Sequence, residues 1–336
     1  MSEPLLQVRN LTTRFRTERG EVTAVDNVSF DVAPGETLAI VGESGSGKSV
    51  TALSILRLIP NPPGRIESGQ ILFEGKDLVT MSDEAIRAVR GDRIAMIFQE
   101  PMTSLNPTIT VGKQIAEPMN LHRGTPWEQA LKTAGELLAK VRIPDAASKG
   151  SAYPHQFSGG QRQRAMIAMA LACKPRLIIA DEPTTALDVT VQAQVLDLLK
   201  ELCRETQASL ILITHDLGVV ARYADRVAVM YGGRIVEQSS ARNIYKNPSH
   251  PYTRGLLASV PRLDGDSSQR LVPIEGSPPD LARLPPGCAF APRCRLATDE
   301  CRQERPQLRP VGTDHIMACI REPAAAIPAR SEPVNT

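Results

Sequence analysis

The run Gly42-Glu43-Ser44-Gly45-Ser46-Gly47-Lys48-Ser49 has the G-x-x-x-x-G-K-S spacing of a phosphate-binding loop. Its glycines let consecutive backbone N–H groups turn inward around a triphosphate. Lys48 brings a positive charge to the β- and γ-phosphates, and the Ser49 hydroxyl is suited to ligate Mg²⁺. A second chemical element is the apolar run Leu177-Ile178-Ile179-Ala180, which ends in Asp181-Glu182. Asp181, at the tip, is suited to hold Mg²⁺ directly or through water, and Glu182 to orient and deprotonate an attacking water. An isolated Asp-Glu pair reads more simply as a solvated turn. Downstream of a phosphate loop it reads as the acidic half of an ATP-hydrolysing site.

The elements that must position these residues are legible on either side of them. Thr37 to Val41 is a short apolar run suited to a buried strand, and Ser49 to Leu58 has helical spacing with Leu53, Leu56 and Ile59 on one side. Together they aim a helix N-terminus at anionic oxygens. Strands are also expected at Leu5–Val8, Val28–Val32, Gln70–Phe73 and Arg93–Phe98, the last ending at Gln99. From about 101 to 172 the pattern turns helical, with Thr110–Leu121 and Trp127–Val141 apolar at steps of three and four. Arg176–Ala180 and Ser209–Ile213 are apolar strands between helices, the pattern of a parallel sheet covered on both faces. Val227–Met230 runs through the Gly232-Gly233 turn to Arg234–Val236. In Phe157-Ser158-Gly159-Gly160-Gln161, Ser158 suits an N-cap before a helix from Gln161 to Ala172, and the glycines allow close approach to a phosphate.

These segments, with Gln99, Ala186-Leu187-Asp188 and His215, stand in the order and at the spacing of the ATP-binding cassette (ABC) transporter ATPases, which the chain resembles over roughly residues 5 to 240. The resemblance implies an α/β fold: an ABC-type P-loop ATPase with a mixed sheet core, a helical subdomain and, here, a small Cys-containing C-terminal extension. It also implies a composite site. ATP on the phosphate loop of one chain is capped by Ser158, Gly159, Gly160 and Gln161 of another, so the helix N-terminus reaches the γ-phosphate only when the pair closes. In that reading Glu182 is the base, His215 contacts the γ-phosphate, and Gln99 senses it together with Mg²⁺. Asp188 links the two sites, and Phe15 stacks on adenine or is a core residue.

Local segments resemble one branch of that family. Gln99-Glu100-Pro101-Met102-Thr103-Ser104-Leu105-Asn106-Pro107 and His250-Pro251-Tyr252-Thr253-Arg254-Gly255-Leu256-Leu257 look like those of di- and oligopeptide importers, Ala186-Leu187-Asp188-Val189-Thr190-Val191-Gln192 agrees, and a nickel importer on the same plan is the nearest rival. The implied partners are two transmembrane permease subunits, a second, paralogous ABC ATPase and an extracytoplasmic solute-binding protein, with the chain peripheral on the cytoplasmic face of the cell membrane. The expected domains are 1–247 for the ATPase, 248–322 for the extension and 323–336 for a disordered tail. Beyond Asn247, where about half of the 27 prolines fall, the composition suggests a loop-rich module that buries little core.

That module carries Cys288, Cys294, Cys301 and Cys319. Their separations are wider than the close Cys pairs of structural zinc sites, while four thiolates can hold a [4Fe–4S] cluster, as the matching extension does in some importer ATPases. Zinc and plain free thiols are the alternatives. Arg293 and Arg295 would shield a cluster's charge or simply be solvated, and Cys173 and Cys203 read as core.

Composition narrows the class further. The chain has 336 residues, a hydrophobic fraction of 42%, a charged fraction of 23% and a net charge of +2. That is an ordinary globular balance without the basic footprint of a nucleic-acid binder. The start Met1-Ser2-Glu3-Pro4 lacks the basic flank and apolar stretch of a signal peptide, and no run of 18 apolar residues occurs. The other functions weighed are a soluble ABC ATPase acting on DNA or ribosomes and a nucleotide-binding subunit that does not turn over. The single cassette disfavours the first, and intact Glu182 and His215 disfavour the second.

Overall fold

A computed structural model of the chain describes residues 3–18, 20–185, 187–259 and 273–322. Two sheets form its frame. The smaller is antiparallel, in the order β2 (Gly20–Val32), β1 (Leu6–Thr17), β4 (Gly64–Phe73), β5 (Lys76–Asp77). Its strands are longer than expected: β1 runs on to Thr17 and β2 already starts at Gly20. The larger sheet has eight strands in the order β11 (Arg309–Gly312), β12 (His315–Met317), β10 (Arg234–Ser240), β9 (Arg226–Tyr231), β3 (Thr37–Val41), β8 (Ser209–Thr214), β7 (Leu177–Asp181), β6 (Ile94–Ile97).

From β9 across to β6 the pairings of this sheet are parallel, and from β9 outward to β11 they are antiparallel, so the sheet is mixed. Strands β3, β7 and β8 are buried at every residue. This is why they read as unbroken apolar runs: helices and the second sheet cover both faces. One core lies between the sheets and gathers Leu6, Val8, Phe30, Leu38, Ile40, Ile55, Ile179 and Ile213.

Helices fill the remaining layers. After β3 comes α1 (Lys48–Ile55), followed by α2 (Asp83–Val89) before β6. The expected run to Leu58 stops at Ile55, and the face it buries is Thr51, Ala52 and Ile55 rather than Leu53 and Ile59, because the helix lies between the two sheets. The helical region comprises α3 (Pro101–Ser104), α4 (Val111–Arg123), α5 (Trp127–Lys140), α6 (Ala146–Lys149) and α7 (Gly159–Leu171). Ala130, Ala134 and Leu138 of α5, spaced at four, form its buried stripe. α7 begins two residues before the expected start because Ser158 itself is the N-cap. Next come α8 (Val189–Thr206), α9 (Leu217–Tyr223), α10 (Ala241–Lys246), α11 (Pro251–Ala258) and α12 (Asp299–Gln303).

The C-terminal extension departs from the expectation of a core-poor appendage. β12 pairs with β10, at Met317↔Glu237 and Ile316↔Gln238, and so continues the main sheet. Tyr252, Phe290 and Met317 are fully or nearly buried. Tyr231, Tyr252 and Phe290 pack ring against ring with centroids 4.4 to 5.4 Å apart. Beneath them Glu237, wholly buried, accepts hydrogen bonds from the Ser249 and His250 N–H groups at 2.7 and 2.9 Å and pairs with His315 Nε2 at 2.7 Å. Those bonds hold its carboxyl below the usual range against the opposing effect of burial. The expected tail from 323 and the Ala186 of the Ala-Leu-Asp segment lie outside the described residues.

Candidate active site

The phosphate loop joins β3 to α1. Gly42 passes so close to β9 that a Cβ there would stand 2.2 Å from the Met230 carbonyl oxygen. Gly47, at φ +101°, takes a left-handed turn, and a Cβ there would meet the Ala24 carbonyl at 2.5 Å. The loop can take this shape only with glycine at these two points. Gly47 is also the N-cap of α1, and no side chain caps that helix. Its first N–H groups therefore face the loop's hollow, where an anion satisfies them. Ser46 Oγ is buried there without a hydrogen-bond partner among the described residues, as expected of a donor waiting for a phosphate oxygen.

Lys48 is buried, and its Nζ donates to the carbonyls of Gly42 (2.8 Å) and Glu43 (3.0 Å). Burial lowers its pKa, and the carboxylates of Glu182, Asp181 and Glu43 oppose that shift. Ser49 Oγ donates to Asp181 Oδ1 at 3.0 Å. Burial in turn raises the Asp181 pKa, partly offset by the Ser49 hydrogen bond. A hydroxyl and a desolvated carboxylate side by side, at the mouth of a phosphate-binding loop, suit a hard divalent cation such as Mg²⁺, which takes one or two protein oxygens and the substrate's phosphates.

Glu182 follows Asp181 with a left-handed backbone, φ 45°. That geometry is unusual for a side chain of its size, and strain of this kind collects at working sites. The turn is fixed by its N–H bonding to Ile213 of β8 at 2.9 Å. The carboxylate then meets three side chains: Gln99 Nε2 at 3.1 Å, Thr185 Oγ1 at 2.8 Å and His215 Nδ1 at 3.4 Å. Gln99 comes from the end of β6, Glu182 from the end of β7 and His215 from the end of β8, so three neighbouring parallel strands deliver them to one edge. Placement beyond the C-terminal ends of parallel strands is the usual location of ligand sites in α/β sheets.

One cleft is lined by Ser44, Gly45, Ser46, Gly47, Lys48, Ser49, Gln99 and Glu182, together with Ala24, Val50 and Leu281. The other candidates stand off it. Phe15 in β1 lies beside Gly64, where a Cβ would meet its ring at 2.7 Å, and it is not among the residues that line this cleft. Ser158 and Gln161 form a reciprocal capping box at the start of α7: Ser158 Oγ accepts from the Gln161 N–H at 3.3 Å, and Gln161 Oε1 from the Ser158 N–H at 3.1 Å. Gly159 and Gly160 follow it. The exposed Ser158 does not line the chain's own nucleotide cleft. Phe157, the residue before the cap, is buried in the helical region's core. Asp188 caps α8 by accepting from the Val191 N–H at 3.0 Å.

Sequence reasoning missed Thr185, which holds the Glu182 carboxylate, and three contributors from the C-terminal extension. Leu281 lines the cleft, Tyr252 Oη accepts the Glu43 N–H at 2.8 Å, and Arg293 pairs with the Glu43 carboxylate. Arg293 was expected to shield a cluster or be solvated, yet it is buried and turned the other way. Arg295, half exposed, pairs with Glu275 at 2.7 Å. Only the His-Pro-Tyr segment carried a local signal, and it reads as a turn before a helix.

The four tail cysteines converge. Cys288, Cys294, Cys301 and Cys319 line one small apolar pocket with Phe290, Ala291 and Leu296. Backbone N–H groups point at three of the sulfurs: those of Phe290 and Ala291 at Cys288, Leu296 at Cys294 and Arg321 at Cys319. Burial raises all three of these thiol pKa values, that of Cys288 to about 11. N–H donors aimed at sulfur are a feature of thiolate-held centres, but the burial that raises these pKa values disfavours the thiolate form. The spacing does not match such a centre: among the described residues no three His, Cys, Asp or Glu side chains stand close enough together to hold a metal ion. Cys173 and Cys203 are plain buried core residues, as expected.

A phosphate loop, a paired Ser–Asp at its mouth and a clamped Glu at the adjacent strand tip define an ATP-hydrolysing cassette. Residues 25–185 match the family described as ABC transporter, and residues 236–301 match the C-terminal region of oligopeptide/dipeptide transporters. The chain is 53% identical to the oligopeptide transport ATP-binding protein OppD of Bacillus subtilis over 322 residues, covering 96% of this chain and 90% of that one. It is likewise 53% identical to the dipeptide transport ATP-binding protein DppD of the same organism, covering 94% of each. Among solved structures it is similar to the ATP-binding cassette MJ0796, as a dimer in a post-hydrolysis state with ADP and Pi, at TM-score 0.64 and 29% identity, covering 70% of this chain and 99% of that one. The chain belongs to the ABC transporter ATPases, in the branch that carries the oligopeptide/dipeptide transporter C-terminal region.

Proposed function

We propose that the chain energises import of di- and oligopeptides through a membrane permease complex. The observation that carries this reading is the pairing of a complete ATPase site with the oligopeptide-type extension on one chain. In the cleft, Lys48 and the uncapped N–H groups of α1 bind the β/γ-phosphates, and Ser49 and Asp181 hold Mg²⁺, which neutralises phosphate charge. Glu182 takes the proton of the attacking water. Gln99, Thr185 and His215 hold its carboxylate in place, and we assign Gln99 and His215 to register the γ-phosphate.

The composite site follows from the distribution of the remaining residues. Ser158, Gly159, Gly160 and Gln161 present a helix N-terminus on the surface, away from the chain's own cleft. We assign that end to the ATP of a second, paralogous ATPase, with Asp188 linking the two sites and Phe15 supporting the adenine. ATP binding energy then closes the pair, and closure moves the permeases. In this reading two permease subunits provide the path, a solute-binding protein delivers the solute, and this chain docks on the cytoplasmic face; no helix among the described residues is long and apolar enough to cross a membrane. Cys288, Cys294, Cys301 and Cys319 are assigned to a [4Fe–4S] cluster that staples the extension, with zinc as the alternative. Loading requires the loops that carry them to draw closer.

The test is uptake by the reconstituted importer. Labelled dipeptide should accumulate with ATP, and accumulation of nickel without peptide would move the chain to the nickel branch. Anaerobically purified protein should show the charge-transfer absorption and iron content of a cluster. Colourless, iron-free protein with stoichiometric zinc would replace that assignment.

A further inference from the structure

The second residue of the phosphate loop is gripped from outside the cassette. The Glu43 carboxylate receives two hydrogen bonds from one guanidinium: Arg293 Nη1 to Oε2 at 2.6 Å and Nη2 to Oε1 at 3.0 Å. All five N–H donors of Arg293 are used, the others on Tyr231 Oη (3.3 Å) and on the carbonyls of Ile274 (3.4 Å) and Glu275 (3.0 Å). Its side chain is 6% exposed and lies 5.9 Å from the Tyr231 ring centroid. A fork this completely satisfied is held in one orientation. Tyr252 holds the Glu43 N–H in addition. On the other side, the Glu43 carbonyl accepts from Lys48 Nζ at 3.0 Å, and the Glu43 charge acts on Lys48. One loop residue thus connects the extension to the lysine that meets the phosphates.

We propose that Arg293 is a positioning residue for the nucleotide site: it neutralises the Glu43 carboxylate and holds it off the phosphate path, so that the C-terminal extension sets ATP affinity. A carboxylate in a phosphate loop repels the polyphosphate it borders. Partly buried, it also needs a counter-charge, because leaving one member of such a pair alone is costly. Without Arg293 the nearest cation it already interacts with is Lys48, and a Glu43–Lys48 pair withholds the lysine from the phosphates. Arg293 removes both effects at once. The turn that carries it, Ala291–Arg293, lies between Cys288 and Cys294, so the thiol pocket and the phosphate loop share a rigid link.

The account depends on charge, so a charge cycle tests it. In the full-length chain, titrated with a fluorescent ATP analogue and Mg²⁺, R293Q should raise Kd about tenfold, and E43Q, which removes the carboxylate but keeps the Glu43 N–H and carbonyl in place, should weaken binding less than R293Q does. The double variant E43Q/R293Q should bind like E43Q, because the unpaired carboxylate is gone. R293K, which keeps the charge but loses the fork, should fall between wild type and R293Q. In the assembled complex R293Q should raise KM for ATP and leave saturated turnover near wild type. Unchanged binding by R293Q, or a double variant that keeps the tenfold loss, would overturn the proposal. Should R293Q fail to fold, a double variant that folds and binds supports it, and a double variant that also stays unfolded reduces Arg293 to a structural role. The dependence on ATP binding itself is checked separately by Lys48→Ala.

Discussion

At the scale of single residues the site is a set of charges held under tension. Lys48 is buried with its pKa lowered by desolvation, and Asp181 is buried with its pKa raised. A phosphate beside the lysine and Mg²⁺ beside the carboxylate would each favour the charged form and so oppose these shifts. Lys48→Ala should therefore weaken Mg-ATP binding by roughly tenfold to a hundredfold, the range of a lost charge-assisted hydrogen bond, as measured by titration of the purified chain. The fold should remain, because among the described residues Lys48 Nζ hydrogen-bonds to carbonyls of its own loop and to no other element. Most of this was legible in the sequence because the phosphate loop and the Asp181-Glu182 pair are contiguous runs whose chemistry depends on local spacing. Arg293 was not legible, since its partner Glu43 is 250 positions away and an arginine beside a cysteine carries no sign of where its fork points. Thr185 is a milder case. It lies three residues from Glu182, but its hydroxyl matters only because the Glu182 backbone turns left-handed.

At the scale of elements, three adjacent parallel strands deliver Gln99, Glu182 and His215 to one edge, and helix ends do the rest. Runs buried on both faces, such as β3, β7 and β8, announce themselves in the sequence. The strands of the smaller sheet, which alternate and carry irregularities of register, were read only in part. The extension was misjudged because composition was allowed to speak for packing: prolines and loops accompany a layer anchored by Glu237, His250 and His315. His250 caps α11, with Nδ1 accepting from the Tyr252 N–H at 3.1 Å, and burial depresses its pKa from 6.5 to about 4. A depressed histidine pKa contributes stability that is complete above 6.5 and is lost as pH falls from 6.5 toward 4, because the unfolded chain binds the proton first. Between pH 7 and 5 the extension should lose on the order of 1–2 kcal/mol through this group. Amide exchange across 248–259 should accelerate accordingly, and His250→Asn, which keeps an N-cap acceptor, should flatten the dependence. Exchange that is independent of pH after correction for the intrinsic rate would remove this histidine from the anchor.

At the scale of the whole molecule, the cleft holds the phosphate loop and Glu182, while the glycine-lined N-terminus of α7 stands off it; in the proposed assembly that end faces the cleft of a partner cassette. The extension is not a passenger, since it extends the main sheet through β12 and reaches the phosphate loop through Tyr252 and Arg293. The extension and the phosphate loop are thereby joined by direct contacts as well as by the sheet they share. The central claim is that Glu182 activates water for ATP hydrolysis within the assembled importer, and it is tested most directly by steady-state ATP turnover of that complex with Glu182→Gln. The account predicts that ATP still binds, because the substitution is nearly isosteric and leaves Lys48 and Ser49 in place. Turnover at the altered site should fall by at least about a hundredfold, as when a general base is removed. Undiminished turnover at that site would contradict it.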